Sequence, residues 1–205
     1  VTLVSGSSGI GKSTLATQFL LAGAERGESG LYVSLEEGPA QLIAAATALG
    51  LPLRAAVERG LVEIMHVSRE NLRIGEFLTV LADRLTIGKA TRVVIDSITH
   101  MLTERSGLDQ LRHVLYKLAV RFKTLNVTSL LTLEAASLYS TDIVTEQTLS
   151  PIADNVLMVR FREIAERLVP MLTVVKTRGS AHDRGTYCLS IGPGGARIDP
   201  PEVTG

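Results

Sequence analysis

The chain has no tryptophan, and aromatic residues make up only 4% of its 205 positions. A surface built to stack on unpaired bases needs such rings. One cysteine, Cys188, rules out an internal disulfide and suits a reducing, cytoplasmic setting. Charge of either sign is not in excess: 21 Lys and Arg balance 21 Asp and Glu. Whole-surface affinity for nucleic acid or anionic membrane is therefore not indicated, though a local basic patch is compatible with this balance. No apolar run reaches membrane-spanning length, and no signal-peptide pattern is present.

What remains is an ordinary globular balance, 45% apolar and 20% charged, at a length that suits one domain with a sizeable core. The whole span 1–205 is expected to form that domain. Residue 1 already lies in an apolar run five residues before the first motif, which predicts a domain excised from a longer chain.

That motif is Gly6-Ser7-Ser8-Gly9-Ile10-Gly11-Lys12-Ser13-Thr14, which fits G-x-x-x-x-G-K-[ST]. Its glycines allow successive backbone N–H groups to face one concavity that holds anionic oxygens. Lys12 supplies a point charge for the outer phosphates, and Ser13 offers a hydroxyl to Mg²⁺. Val1 to Val4 read as a buried strand, and Leu15, Phe19 and Leu20 recur at helical spacing. A helix from about Ser13 would aim its positive end at the same point. Strand, loop and helix together are the context this mechanism requires.

Further along, strand-like and helix-like runs alternate. Leu31–Leu35, Leu61–Val67, Arg92–Asp96 and Val127–Leu133 read as strands. Helices are expected from Pro39 to about Leu49 and from Ile74 to about Ile87. A long one follows, striped by Leu108, Leu111, Leu115, Leu118, Phe122 and Leu125. This alternation predicts an α/β fold with a mostly parallel sheet between helices. Asn155–Phe161, Leu168–Val175, Gly185–Ile191 and Ala196–Ile198 read as consecutive strands, an antiparallel extension. Residues 136–150 read as a Ser/Thr-rich loop.

Three further groups can carry chemistry. Asp96 closes the strand Val93-Val94-Ile95-Asp96, where a parallel sheet has its ligand crevice. With a P-loop in the same sheet, a metal-holding role outweighs that of a turn former. Glu36 and Glu37 end the second strand, Tyr32 to Glu37, and can orient and deprotonate a water. The plainer reading is an acidic turn before a helix. Lys176 and Arg178 lie in a polar turn and point to the same side of an extended chain. On spacing alone they serve equally well as a phosphate clamp or as a solvated hairpin turn.

Taken together, the P-loop, Glu36-Glu37, Val94-Ile95-Asp96-Ser97 and Lys176-x-Arg178-Gly179-Ser180-x-His182 resemble the KaiC family of RecA-like ATPases. The similarity runs over about the whole chain. The P-loop is common to many families, while the double glutamate and the Lys-x-Arg-Gly-Ser-x-His segment are far more specific. The resemblance implies a RecA-like fold and homohexameric rings, commonly with two tandem domains per chain and ATP between subunits. It implies that Lys176 and Arg178 reach the γ-phosphate of the neighbouring subunit, and it adds His182 to the nucleotide-binding set. Glu36 and Glu37 match the family's catalytic carboxylates, and Asp96 its metal-site aspartate.

Some members also phosphorylate themselves on an adjacent Ser-Thr pair. Here Ser150 matches the serine, Pro151 replaces the threonine, and Thr145 matches a further threonine. Proline has no hydroxyl, which counts against a two-site cycle. The expected function is Mg²⁺-dependent ATP binding and slow hydrolysis, with Ser150 as a candidate acceptor and regulatory proteins as candidate partners. The alternative is a scaffold that uses ATP chiefly to assemble. A recombinase or helicase fits less well, because the 136–150 loop has no Lys or Arg and carries Asp142 and Glu146.

Overall fold

The computed structural model describes residues 1–68, 70, 72–101, 108–134 and 151–199. One nine-stranded sheet organises them. Its strands are β1 (Thr2–Gly6), β2 (Gly30–Ser34), β3 (Val62–His66), β4 (Arg92–Asp96), β5 (Thr128–Glu134), β6 (Asn155–Ile164), β7 (Arg167–Thr177), β8 (Thr186–Gly192) and β9 (Gly195–Asp199). Their order across the sheet is β3-β2-β4-β5-β1-β6-β7-β8-β9. From β3 to β6 every neighbouring pair is parallel; from β6 to β9 every pair is antiparallel. The mostly parallel sheet with its C-terminal antiparallel extension is therefore present, with one refinement. β6, expected among the antiparallel strands, lies parallel to β1 and starts the antiparallel run only on its other edge.

Helices cover both faces: α1 (Lys12–Ala24), α2 (Pro39–Ala48), α3 (Leu53–Glu58), α4 (Ile74–Ile87) and α5 (Leu108–Thr124). Strand residues alternate between two cores, as the two-residue period of a pleated strand requires. Leu31, Val33, Val93 and Ile95 face Phe77, Leu81 and Leu85 of α4 and Leu111, Leu115, Leu118 and Phe122 of α5. Tyr32, Val94 and Leu130 face α1, α2 and α3 through Ala16, Leu20, Leu42 and Leu53. From the stripe read in α5, Leu111, Leu115, Leu118 and Phe122 thus pack on the sheet as expected.

Two local details differ from the sequence reading. α3 was not anticipated; six residues are too few to show a period, yet Leu53 is fully buried. The second strand ends at Ser34, so Glu36 and Glu37 lie in the bend after it, not in the strand. Pro39 does open α2, where the Gly38 N–H donates to Gln41 Oε1 at 3.0 Å. The expected 136–150 loop, with Thr145 and Ser150, lies outside the described residues.

The last hairpin folds back onto α1. Gln18 binds Ala196 in both directions, its Oε1 accepting the N–H at 2.8 Å and its Nε2 donating to the carbonyl at 3.2 Å. This covers an edge strand and brings Ile191 over the start of α1. Phe122, 1% exposed, fills the layer between α5 and the sheet. Phe122→Ala is expected to lower stability by about 3–5 kcal/mol in urea denaturation, the usual cost of emptying a buried aromatic site.

Candidate functional site

Parallel strands deliver their carboxyl ends to one edge of the sheet. At that edge the ends of β1, β2, β4 and β5 surround a cavity of about 430 Å³. The loop after β1 forms its floor. Ile10, 1% exposed, anchors this loop in the core, and Gly11 precedes α1 with φ of +102°. That positive φ is what requires glycine at position 11; a Cβ there would also meet Ile191 Cδ1, the free end of a half-exposed side chain that can turn aside. Gly6 answers a different need. A Cβ there would lie 2.6 Å from the Val159 carbonyl oxygen on β6, so its glycine serves strand packing.

Lys12 is 9% exposed, and burial holds its ammonium below the usual lysine range, against the pull of Glu134, Asp96 and Glu36. Its Nζ donates to the carbonyls of Gly6 at 2.8 Å and Ser7 at 2.7 Å. Ser13 and Thr14 line the cavity beside it. Asp96 stands at the end of β4. Its Oδ2 accepts a hydrogen bond from the Tyr32 hydroxyl at 2.6 Å, and its Oδ1 accepts one from Thr132. Burial, then Asp96, pushes the Tyr32 hydroxyl well above its usual value, so Tyr32 stays a donor. The hydroxyls fix the carboxylate while each oxygen keeps a further lone pair.

Both glutamates line the same cavity. Burial raises the Glu37 carboxyl above its usual value, and the charges of Glu36 and Asp96 add to this. The Ser34 hydroxyl donates to the Glu37 carbonyl at 2.7 Å, which shapes the bend. The Glu36 carboxylate meets His100 Nε2 at 3.1 Å. Among the described residues the lining therefore carries four carboxylates, Glu36, Glu37, Asp96 and Glu134, against one ammonium, Lys12. Such a site repels a bare polyphosphate and suits one that brings a cation. Ser13 and Asp96 supply the hard oxygen donors that Mg²⁺ prefers, at a place with room for its water.

The structure does not bring Lys176, Arg178 or His182 to this cavity. Thr177 pairs with Asn155, and Asn155 with Thr2, at the opposite edge of the sheet from Gly6. Four strand residues separate the two edges, about 13 Å at the usual rise. Lys176 is still within β7 rather than in a turn; its Nζ donates to the Ala153 carbonyl at 2.9 Å. Arg178 donates to the Pro151 carbonyl at 3.1 Å and faces Asp154 at 3.8 Å. The Nε2 of His182 is buried and has no hydrogen-bond partner among the described residues.

Sequence reasoning missed Tyr32, Thr132, Glu134, His100 and Ile191. A tyrosine in a buried apolar strand is a signal, because its hydroxyl needs a partner. The others are set by strand order and had none.

A phosphate loop at a parallel strand end, a fixed aspartate on the next strand but one, and paired glutamates beside them define a P-loop nucleotide-binding α/β domain. The chain matches the family described as ATPase: KaiC over residues 1–203. It is 34% identical to the circadian clock oscillator protein KaiC of Parathermosynechococcus lividus, across 97% of this chain and 38% of that protein. It is 33% identical to the protein of that name from Nostoc sp., across 97% and 40%. It is 30% identical to the circadian clock protein KaiC3 of Synechocystis sp., across 100% and 41%. The chain belongs to the KaiC family of ATPases, with its RecA-like fold, and spans about two fifths of these relatives' length. No helix among the described residues is long and apolar enough to cross a membrane.

The crowding of carboxylates gives a pH-dependent expectation. With its folded-state value raised above the ordinary 4.5, ionised Glu37 costs more in the folded chain than in the unfolded one. That cost is absent below about pH 4.5 and grows as pH rises through the folded value. Glu37→Gln is therefore expected to raise the Tm at pH 7 and leave it unchanged near pH 4, by scanning calorimetry. An equal gain at both pH values would place the effect elsewhere.

Proposed function

We propose that this domain binds Mg-ATP in the phosphate cavity and hydrolyses it slowly at an interface between two copies of itself. One observation carries the reading. The cavity holds four carboxylates and one lysine, while Lys176 and Arg178 lie at the far edge of the same sheet. A triphosphate in this cavity needs positive charge beyond Lys12, and among the described residues no other cation lines it. A neighbouring copy has that charge at the complementary edge. A ring closes such head-to-tail contacts, and a homohexamer follows the family resemblance.

In this arrangement the loop N–H groups, Lys12 and the start of α1 hold the phosphates. Ser13 and Asp96 hold Mg²⁺, which neutralises phosphate charge when bound. The neighbour's Lys176 and Arg178 stabilise charge on the transferring group, and its His182 joins the nucleotide-binding surface. The oxygen of a water forms a bond to the γ-phosphorus as the bond to the β,γ-bridging oxygen breaks. The glutamate pair takes the water's proton, and ADP and phosphate leave. The domain stands within a longer, two-domain chain, a reading supported by the greater length of its relatives. Its single cysteine suits the cytoplasm, and the nucleotide state of the ring would be the signal a regulatory protein reads.

The test is complementation between inactive copies. Lys12→Ala, and separately Lys176→Ala with Arg178→Ala, should each lower kcat by about a thousandfold, the scale of lost phosphate-stabilising cations. Mixing the two variants should restore turnover, because a sound P-loop then meets a sound finger at some interfaces. Wild-type turnover in the Lys176/Arg178 variant, or no recovery on mixing, would overturn the shared site.

Water is the acceptor in this reading, and Ser150 competes with it. Pro151 removes the second hydroxyl of a two-site cycle. Mass spectrometry after incubation with Mg-ATP should find ADP accumulating and Ser150 unmodified. Phosphate on Ser150, absent from Ser150→Ala, would make the protein an autokinase.

A further inference from the structure

Glu36 and Glu37 are chemically alike, but their surroundings differ. Glu36 is 66% exposed, and a glutamate in that position has three side-chain torsions to fix before it can act. Among the described residues the carboxylate has one side-chain partner, His100 Nε2 at 3.1 Å. The His100 side chain is only 9% exposed. It sits on a short 3-10 turn, Ile98–Met101, whose Ile98 and Met101 are 0% and 4% exposed. Its own N–H donates to the Ser97 carbonyl at 3.1 Å, and the Ser97 hydroxyl donates to the Thr132 carbonyl at 3.2 Å. The ring is thus a buried post, four residues beyond Asp96, and it reaches an exposed carboxylate 64 residues away in the chain.

We propose that His100 is a positioning residue: its Nε2–H holds Glu36 at the mouth of the phosphate cavity, so that the carboxylate pair meets the attacking water in one geometry. The inference rests on the hydrolytic reading above. The contact suits this role better than a stabilising one. Pairs with an exposed partner contribute little to folding. Fixing the orientation of a reacting group affects the barrier far more strongly. The bond also distinguishes the adjacent glutamates: Glu36 is tethered, while Glu37 lines the cavity beside it. The single turn after β4 then ties the metal-holding aspartate and the glutamate pair to one rigid element.

The test uses the full-length protein and begins with ATP turnover by the wild type. His100→Leu keeps the bulk but removes the donor, and is expected to lower kcat about tenfold, a loss of orientation, with KM for Mg-ATP and Tm unchanged. His100→Gln places an amide N–H where Nε2 stood, and should recover most of that loss. In the Glu36→Gln background, His100→Leu should have no further effect. A second readout needs no turnover: the imidazole ¹⁵N resonance of His100 Nε2 should shift in Glu36→Gln. Unchanged kcat in His100→Leu would overturn the proposal. So would equal losses in the Leu and Gln variants accompanied by lower Tm, which mark packing. A resonance indifferent to Glu36→Gln would overturn it as well. A wild type that turns over no ATP, with the resonance still responding, would remove the hydrolytic reading and leave the contact structural.

Discussion

Seven strands of this domain run in one direction, β1 to β6 paired in parallel and β8 beyond the antiparallel β7, so seven carboxyl ends meet one edge of the sheet, and the site depends on that shared direction. β1 contributes the phosphate loop, β2 the bend with both glutamates, β4 the aspartate and β5 Glu134. None of these groups is close to the others in sequence. Slip one strand by a residue and its inward and outward sides exchange. Two hydrophobic cores, one on each face, oppose that slip with buried Val, Ile and Leu side chains at alternate positions. The packing that stabilises the sheet is therefore also what aligns the chemistry.

The alignment places like charges together. Glu36, Glu37, Asp96 and Glu134 crowd one lysine, and burial weakens that lysine's hold on its proton. Natural proteins accept such local cost at functional sites. Here the crowding has a direction: it favours a ligand that arrives with its own cation. In the proposed shared site, the distance between the P-loop edge and Lys176 is what calls for a neighbouring copy.

Buried and exposed groups are also distributed unevenly. Asp96 is pinned by two hydroxyls, from Tyr32 and Thr132. Among the described residues the Glu36 carboxylate has one side-chain partner, His100, on a turn set in the core. Strand ends carry the fixed polar groups, while the bend after β2 carries both glutamates.

Much of this was legible beforehand, and the reason is local. The P-loop is nine consecutive residues, the hydrophobic periods of α4 and α5 lie within single windows, and a strand-ending Asp96 needs only its own strand. Composition, motifs and periodicity therefore determined the α/β class, the phosphate loop and the aspartate. They could not reveal that β6 joins β1 in parallel, because direction within a sheet is a property of pairs. Nor could they show why Gly6 is glycine, since the Val159 carbonyl that demands it is 153 positions away. Tyr32 on Asp96 and His100 on Glu36 are likewise contacts between distant segments, made by strand order. Most of all, spacing alone left Lys176 and Arg178 balanced between clamp and turn, and only the family resemblance favoured the clamp. The tertiary structure decided that they stand at the opposite edge from their own phosphate loop, because register, not proximity along the chain, fixes where a strand ends.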